Sequence, residues 1–200
     1  MCKSMRYLMP CGNAGMRQGD GGSGKVDIWS TQQRYSVIYA DPPWSYVQGG
    51  RGAAKKHYAT MATEEIENLP VKRLADADCT LFLWVTFPNL KQGLSTIEAW
   101  GFQYKTIAFN WVKKTKRGRY FWGCGHWTRS NSEVCLLAVK GTPKRVCASV
   151  HSVIDSEVRE HSQKPEEART RIVQLMGDVP RIELFAREYA PGWDCWGNEV

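Results

Sequence analysis

Apolar residues along this chain gather in short, nearly unbroken runs separated by stretches with helical spacing. Tyr35-Ser-Val-Ile-Tyr-Ala40, Thr80-Leu-Phe-Leu-Trp-Val-Thr86, Thr106 to Val112 and Glu133-Val-Cys-Leu-Leu-Ala-Val139 are rich in β-branched and aromatic side chains. Their continuity predicts strands covered on both faces. A short strand near Ser152 to Ile154 and a final one over Arg181-Ile-Glu-Leu-Phe-Ala186 complete the set. Helices fall between them. One starts near Thr63, with its hydroxyl as cap and Glu64 and Glu65 at the positive end of the dipole, and is interrupted at Pro70. A second runs from Asn89 to Trp100 and stops at Gly101, and a third opens at Pro165, shows one apolar face through Ile172, Leu175 and Met176, and ends at Gly177. Strands alternating with helices imply an α/β fold, a mostly parallel sheet with helices on both faces.

The remaining stretches have neither period. Residues 1–25 end in Gly21-Gly-Ser-Gly24 and read as a flexible tail, leaving 26–200 as one domain. Ser45 to Tyr58, with three glycines and the bases Arg51, Lys55 and Lys56, reads as a flap. The 27 Lys and Arg exceed the 20 Asp and Glu, a net charge of +7 that favours a polyanionic partner such as nucleic acid, although a basic but otherwise ordinary protein is also consistent with it. Seven scattered cysteines without a Cys-x-x-Cys pair indicate neither a disulfide framework nor a zinc ribbon and point to a reducing cytoplasm. Neither a signal peptide nor a membrane span is expected.

Two stretches carry chemistry. The first strand runs straight into Asp41-Pro42-Pro43-Trp44. Prolines cannot donate ladder hydrogen bonds, so the chain must leave the sheet there. In open α/β sheets that is where ligands bind. The bland alternative is a rigid turn. The second stretch lies between the third and fourth strands. Lys113, Lys114, Lys116, Arg117 and Arg119 come without an intervening acid, followed by Tyr120, Phe121, Trp122, His126, Trp127 and Arg129. Cations engage phosphates and aromatic faces stack on bases, which suits a surface that extracts a base; a solvated loop with buried anchors is the alternative. Phosphate-loop, dinucleotide and zinc-protease motifs do not occur. The spacing of Cys124, His126 and Cys135 departs from the zinc deaminase pattern, so no metal is expected.

Asp41-Pro-Pro-Trp44, His57-Tyr58-Ala-Thr-Met61, Leu81-Phe-Leu-Trp-Val-Thr86, Gly125-His126-Trp127, Val139-Lys-Gly-Thr-Pro143, Gln163-Lys164-Pro165-Glu166, Ile182-Glu-Leu-Phe-Ala-Arg187 and Trp196-Gly-Asn198 occur in that order. As a set they resemble the MT-A70 family of adenine methyltransferases. The resemblance implies a Rossmann-like methyltransferase domain that uses S-adenosylmethionine, permuted so that the catalytic loop precedes the cofactor-binding strand. It implies that Asp41 and the Pro42 carbonyl accept the hydrogens of the adenine amine, that Pro43 stiffens the loop and that Trp44 offers a stacking face. It also counts Asp41 among the cofactor contacts and places Lys164 by the cofactor's methionine carboxylate, and Phe185, Arg187, Asn198 and Glu199 around its ribose and adenine. Asp27 and Ile28 match an Asp-Ile that touches the adenine, and Tyr58 a position lining the target-base pocket. Glu188-Tyr189-Ala190 departs from the eukaryotic pattern. The substrate is then DNA, or else RNA, in a bacterial or phage-infected cytoplasm. Lys114, Lys116, Arg117, Arg119, His126 and Trp127 are the candidate substrate contacts. A homodimer or a partner subunit is compatible with the family, and so is a non-catalytic nucleic-acid-binding subunit; methylation of cytosine would use the same loop logic.

Overall fold

The computed structural model describes residues 24–45, 60–123, 127–159 and 163–200. The strands are β1 (Tyr35–Ala40), β2 (Ala75–Val85), β3 (Gln103–Lys114), β4 (Ser132–Lys140), β5 (Val153–Glu157), β6 (Arg181–Leu184) and β7 (Asp194–Trp196). The helices are α1 (Thr63–Glu67), α2 (Val71–Leu74), α3 (Leu90–Ala99) and α4 (Glu167–Met176). One sheet of seven strands holds them together in the order β5-β3-β4-β2-β1-β6-β7. Only β4 is reversed, pairing antiparallel with β2 and β3, while the pairs β1–β2, β1–β6, β3–β5 and β6–β7 are parallel. Six strands therefore end at one edge of the sheet, and that same edge is where β4 begins.

This is the mostly parallel α/β sheet expected from the apolar runs, and it has the Rossmann-like arrangement. The side chains of one face, including Ile38, Leu81, Leu83 and Leu136, pack with Ile66, Leu74, Ile97 and Trp100 from α1 to α3. Those of the other face, including Tyr39, Phe82, Trp84 and Trp111, pack with Ala168, Ile172 and Met176 of α4. Burial on both faces is why the central strands read as continuous rather than alternating.

Several boundaries differ from the sequence reading. α1 is capped from Ala62, not Thr63, because the Glu65 carboxylate reaches back to the Ala62 N–H at 2.7 Å and makes Thr63 the first helical residue. α1 closes at Glu67 with Asn68 as its cap, and Pro70 lies between it and α2, whose N-cap it is. β2 and β3 are longer than their apolar runs, since exposed polar residues at their ends still find ladder partners. β5 lies slightly later than expected, at Val153–Glu157, in register with Asn110 to Lys114. α4 begins at Glu167, two residues beyond Pro165, and ends where Gly177 takes φ 82°. β6 stops at Leu184, and a further strand, β7, follows it at Asp194–Trp196, where the sequence reading had no strand. Of the expected tail, Gly24 and Lys25 run along β7, where the Gly24 carbonyl accepts from the Cys195 N–H at 3.0 Å. Residues 1–23 and most of the expected flap, Tyr58 included, lie outside the described residues.

Candidate active site

β1 is central, between β2 and β6, and delivers Asp41 to the shared edge. The turn that follows is fastened at three points. Trp44 N–H donates to the Pro42 carbonyl at 2.9 Å and Met61 N–H to the Pro43 carbonyl at 3.0 Å. The Trp44 indole N–H donates to the Trp84 carbonyl at 3.0 Å. Trp44 is 7% exposed and packs in the core, so it anchors the loop and presents little free face. The Pro42 oxygen keeps one lone pair for a further donor.

Around Asp41 the structure builds an alternating row of charges. The Lys164 ammonium lies 2.8 Å from the Asp41 carboxylate and 3.3 Å from Glu133, and Glu133 also pairs with Lys113. Lys164 sits over the Trp84 ring, 5.7 Å from its centroid, and Lys113 over Trp111 at 4.9 Å. The two carboxylates fare differently. Burial pushes the Asp41 carboxyl up, Lys164 offsets only part of this, and Glu133 adds to the rise. Burial acts on Glu133 in the same direction, but Lys164 and Lys113 together outweigh it and hold that carboxyl below its ordinary value. Burial alone would lower Lys164; Asp41 and Glu133 overcome it and keep the amine above its ordinary value.

Glu133 was visible in the sequence only as the polar first residue of an apolar strand. Because β4 is reversed, that first residue arrives at the edge where the other strands end. Lys113, grouped by sequence with the phosphate-facing bases, is committed to Glu133.

The cofactor-side candidates come from the next two strand ends. Phe185 leaves β6 in the left-handed region at φ 63°, a conformation costing about 1 kcal/mol or more in a non-glycine residue. Its ring meets Trp196 edge-on, with centroids 5.3 Å apart. The Ala186 N–H donates to the Trp196 carbonyl at 2.9 Å. A Cβ on Gly197 would stand 2.2 Å from the Ala186 oxygen, so only glycine lets β7 close this tightly on the turn. Arg187 then reaches Glu199 at 3.6 Å. Phe185, Arg187, Asp41 and Lys164 line one crevice. Asn198 is exposed beside Glu199 on the loop after β7. The donor set fits S-adenosylmethionine in kind: an ammonium for its carboxylate, an aromatic ring and a polar strand end for its nucleoside.

Asp27 and Ile28 are engaged elsewhere. The Asp27 carboxylate closes a turn on the Ser30 hydroxyl and the Trp29 N–H, which hold its pKa low, and the Ile28 side chain is fully buried in the core.

The basic stretch after β3 curls back on itself, with Thr115 N–H donating to Arg119 O at 2.8 Å and Gly118 N–H to Thr115 O at 2.8 Å. Lys114 is paired with Asp155 at 2.6 Å. Lys116, Arg117 and Arg119 are exposed, and so are Tyr120, Trp122 and Trp127, the last at 96%. His126 lies outside the described residues. The open cup of this loop encloses about 900 Å³, whereas the crevice at Asp41, which Lys164 also lines, holds about 30 Å³. Volume and chemistry thus point to different places. The crevice is the better site for reaction because the carboxylate, the ammonium and the strained turn converge there. Among the described residues no group of three or more His, Cys, Asp or Glu is placed to hold a metal ion, and no helix is long and apolar enough to cross a membrane.

The MT-A70 family matches residues 35–199. The chain is 34% identical over 194 residues to the type II methyltransferase M.MunI of Mycoplasma sp, an alignment covering 84% of this chain and 79% of that protein. It is 33% identical over 180 residues to an N(6)-adenosine-methyltransferase MT-A70-like protein of Arabidopsis thaliana, covering 88% of this chain and 25% of the relative. Against the N(6)-adenosine-methyltransferase catalytic subunit METTL3 of Homo sapiens it is 33% identical over 172 residues, covering 84% of this chain and 28% of the relative. The chain thus spans about a quarter of these eukaryotic relatives and most of the Mycoplasma one.

Proposed function

The chain belongs to the MT-A70 family of adenine methyltransferases, and on that premise we propose that it methylates the exocyclic amine of adenine in nucleic acid with S-adenosylmethionine as donor, DNA being favoured over RNA. The observation that carries this reading is the Asp41 carboxylate at the end of the central strand, beside Lys164 and the turn after β6. The preference for DNA rests on the longer match to the type II methyltransferase and on the exposed basic and aromatic loop at the same sheet edge.

Bound S-adenosylmethionine supplies an electrophilic methyl group. The chain's part is to make a poor nucleophile competent. Adenine's amine lone pair is delocalised into the ring; accepting its two hydrogens on the Asp41 carboxylate and the free lone pair of the Pro42 oxygen localises it on nitrogen and fixes the line of attack. The proton shed by the alkylated nitrogen passes to Asp41, whose raised pKa suits it to receive one. Lys164 would hold the cofactor's carboxylate, its ammonium then moving off Asp41. In a duplex the base must be flipped out, and Tyr120, Trp122 and Trp127 can stack on what the extrusion exposes.

Incubation with labelled cofactor and separate DNA and RNA pools, followed by nucleoside analysis, tests the reading. Label in N6-methyldeoxyadenosine is expected. Label confined to ribonucleosides reverses the preference, and label in neither pool overturns the activity.

Asp41 must be ionised to accept the amine hydrogens, so the acid limb of kcat/KM should lie above the ordinary aspartate range. In Glu133→Gln the neighbouring anion is gone and Lys164 serves Asp41 alone, so the limb should move to lower pH. A limb that stays put or moves up in that variant removes Glu133 from the site's electrostatics.

Charge reversal at Lys116, Arg117 and Arg119 should weaken DNA binding and flatten its salt dependence, by about 0.9 in the log–log slope for each phosphate that is no longer neutralised. Reversal at Lys114 should do less, since Asp155 already occupies it. Filter binding across a salt series reads both; an unchanged slope takes the loop out of the interface.

A further inference from the structure

β2 ends at the same sheet edge as β1, and the turn that follows it carries a ring that the reaction above leaves unused. The two strands are parallel neighbours, with Ala40 paired to Leu83, so the chain leaving β2 emerges beside Asp41. It turns at once through Phe87–Asn89, a single turn of 3-10 helix. That turn is fastened on both sides. Asn89, 3% exposed, donates its backbone N–H to the Thr86 carbonyl at 2.9 Å and its side-chain amide to the Thr86 hydroxyl at 3.2 Å. The Leu90 N–H donates to the Phe87 carbonyl, and the Leu90 side chain packs on the core. Pro88 stiffens the backbone between them. Phe87 itself is 51% exposed. A lone exposed phenylalanine is ordinary on a protein surface, but one held on a rigid turn beside the reacting carboxylate presents a fixed flat face.

The place of the ring in the sheet gives it a task. In the order β4-β2-β1-β6, the turn after β6 with Phe185 and Arg187 stands on one flank of Asp41, and Phe87 stands on the other. Methyl transfer runs in line, so a donor on the β6 flank requires the accepting base on the β2 flank. Trp44 offers that base little, being 7% exposed with its indole N–H tied to the Trp84 carbonyl. We propose that the target adenine stacks on the Phe87 ring while its amine reaches Asp41 and the Pro42 carbonyl. The assignment rests on the methyltransferase reading above and adds the surface that holds the base. Two hydrogen bonds at the amine fix one edge of the purine and stacking fixes its plane, which together aim the nitrogen lone pair at the donor.

The test compares wild type, Phe87→Ala, Phe87→Leu and Phe87→Tyr by fluorescence anisotropy with S-adenosylhomocysteine present. The probes are an oligonucleotide with a single adenine that the protein methylates and the same oligonucleotide with that position made abasic. Phe87→Ala should weaken binding to the adenine probe by about fivefold to a hundredfold, the range for one base stacked on an aromatic side chain, and should bind the abasic probe as wild type does. Tyrosine should restore the affinity and leucine should not, because leucine supplies apolar area without a flat face. Thermal unfolding and the affinity for S-adenosylmethionine should match wild type, since the ring is exposed and stands away from the cofactor flank. An equal loss on the abasic probe, an alanine variant that binds the adenine probe at full strength, or full rescue by leucine each overturns the stacking assignment and leaves the methyltransferase reading standing. Wild type that methylates no oligonucleotide overturns both.

Discussion

Asp41→Ala should lower kcat for adenine methylation by on the order of a thousandfold or more, the scale seen when a group that stabilises developing charge is removed. The loss should be in chemistry and not in folding. Asp41 is not a stabilising anion: burial raises its pKa, so its ionised form costs stability above the unfolded aspartate range. Lys164, moreover, keeps Glu133 at 3.3 Å when Asp41 is gone. The variant should therefore unfold at or near the wild-type temperature and still bind S-adenosylmethionine. Single-turnover kinetics with calorimetry alongside separates the steps. Turnover within tenfold of wild type would remove Asp41 from the reaction.

Lys164→Met should destabilise the protein by about 3–5 kcal/mol at neutral pH, the cost of leaving buried charges without their partner. Lys164 is 11% exposed and the two carboxylates it serves are 21% and 15% exposed, so solvent screens them little. The pH dependence follows from the directions of the shifts. Lys164 is held above its ordinary value, so its contribution is complete below the unfolded lysine pKa and lost only as pH rises through the folded one. Glu133 is held below its ordinary value, so its contribution is present above the unfolded glutamate pKa and lost as pH falls through the folded one. Without the lysine both folded carboxyls rise. The deficit should therefore be largest at neutral pH and shrink in acid as they take up protons. Denaturant titrations at pH 5 and pH 8 read the difference; an equal loss at both would mean that packing, not charge, sets the cost. The same variant should bind S-adenosylmethionine weakly, since the α-carboxylate loses its cation.

Much of this was legible in the chain itself. β1 and its abrupt end follow from β-branched residues meeting two prolines, and the central strands from apolar runs covered on both faces. Lys164, Phe185 and Arg187 were singled out by resemblance, and they do share a crevice with Asp41. What the chain hid is equally specific. β7 is three residues, Asp194-Cys-Trp196, too short to show a period, and it exists because β6 offers a free edge. Thr63 looked like a cap because threonine caps well, but the Glu65 carboxylate reached Ala62 first.

Glu133 and Arg169 are the instructive pair. Neither side chain stands out by sequence, one opening a strand and the other in a helix's first turn, and each becomes chemical only through what lies across from it. Local patterning determined where strands stop, because propensity, proline and apolar runs act over a few residues. The direction of β4, and hence the placing of Glu133 beside Lys164, was decided by sheet pairing over long range, as was the Arg169 grip on Glu183 and Glu188. Electrostatics in a buried site depends on distances of a few ångströms between residues far apart in the chain, and only the folded structure sets those.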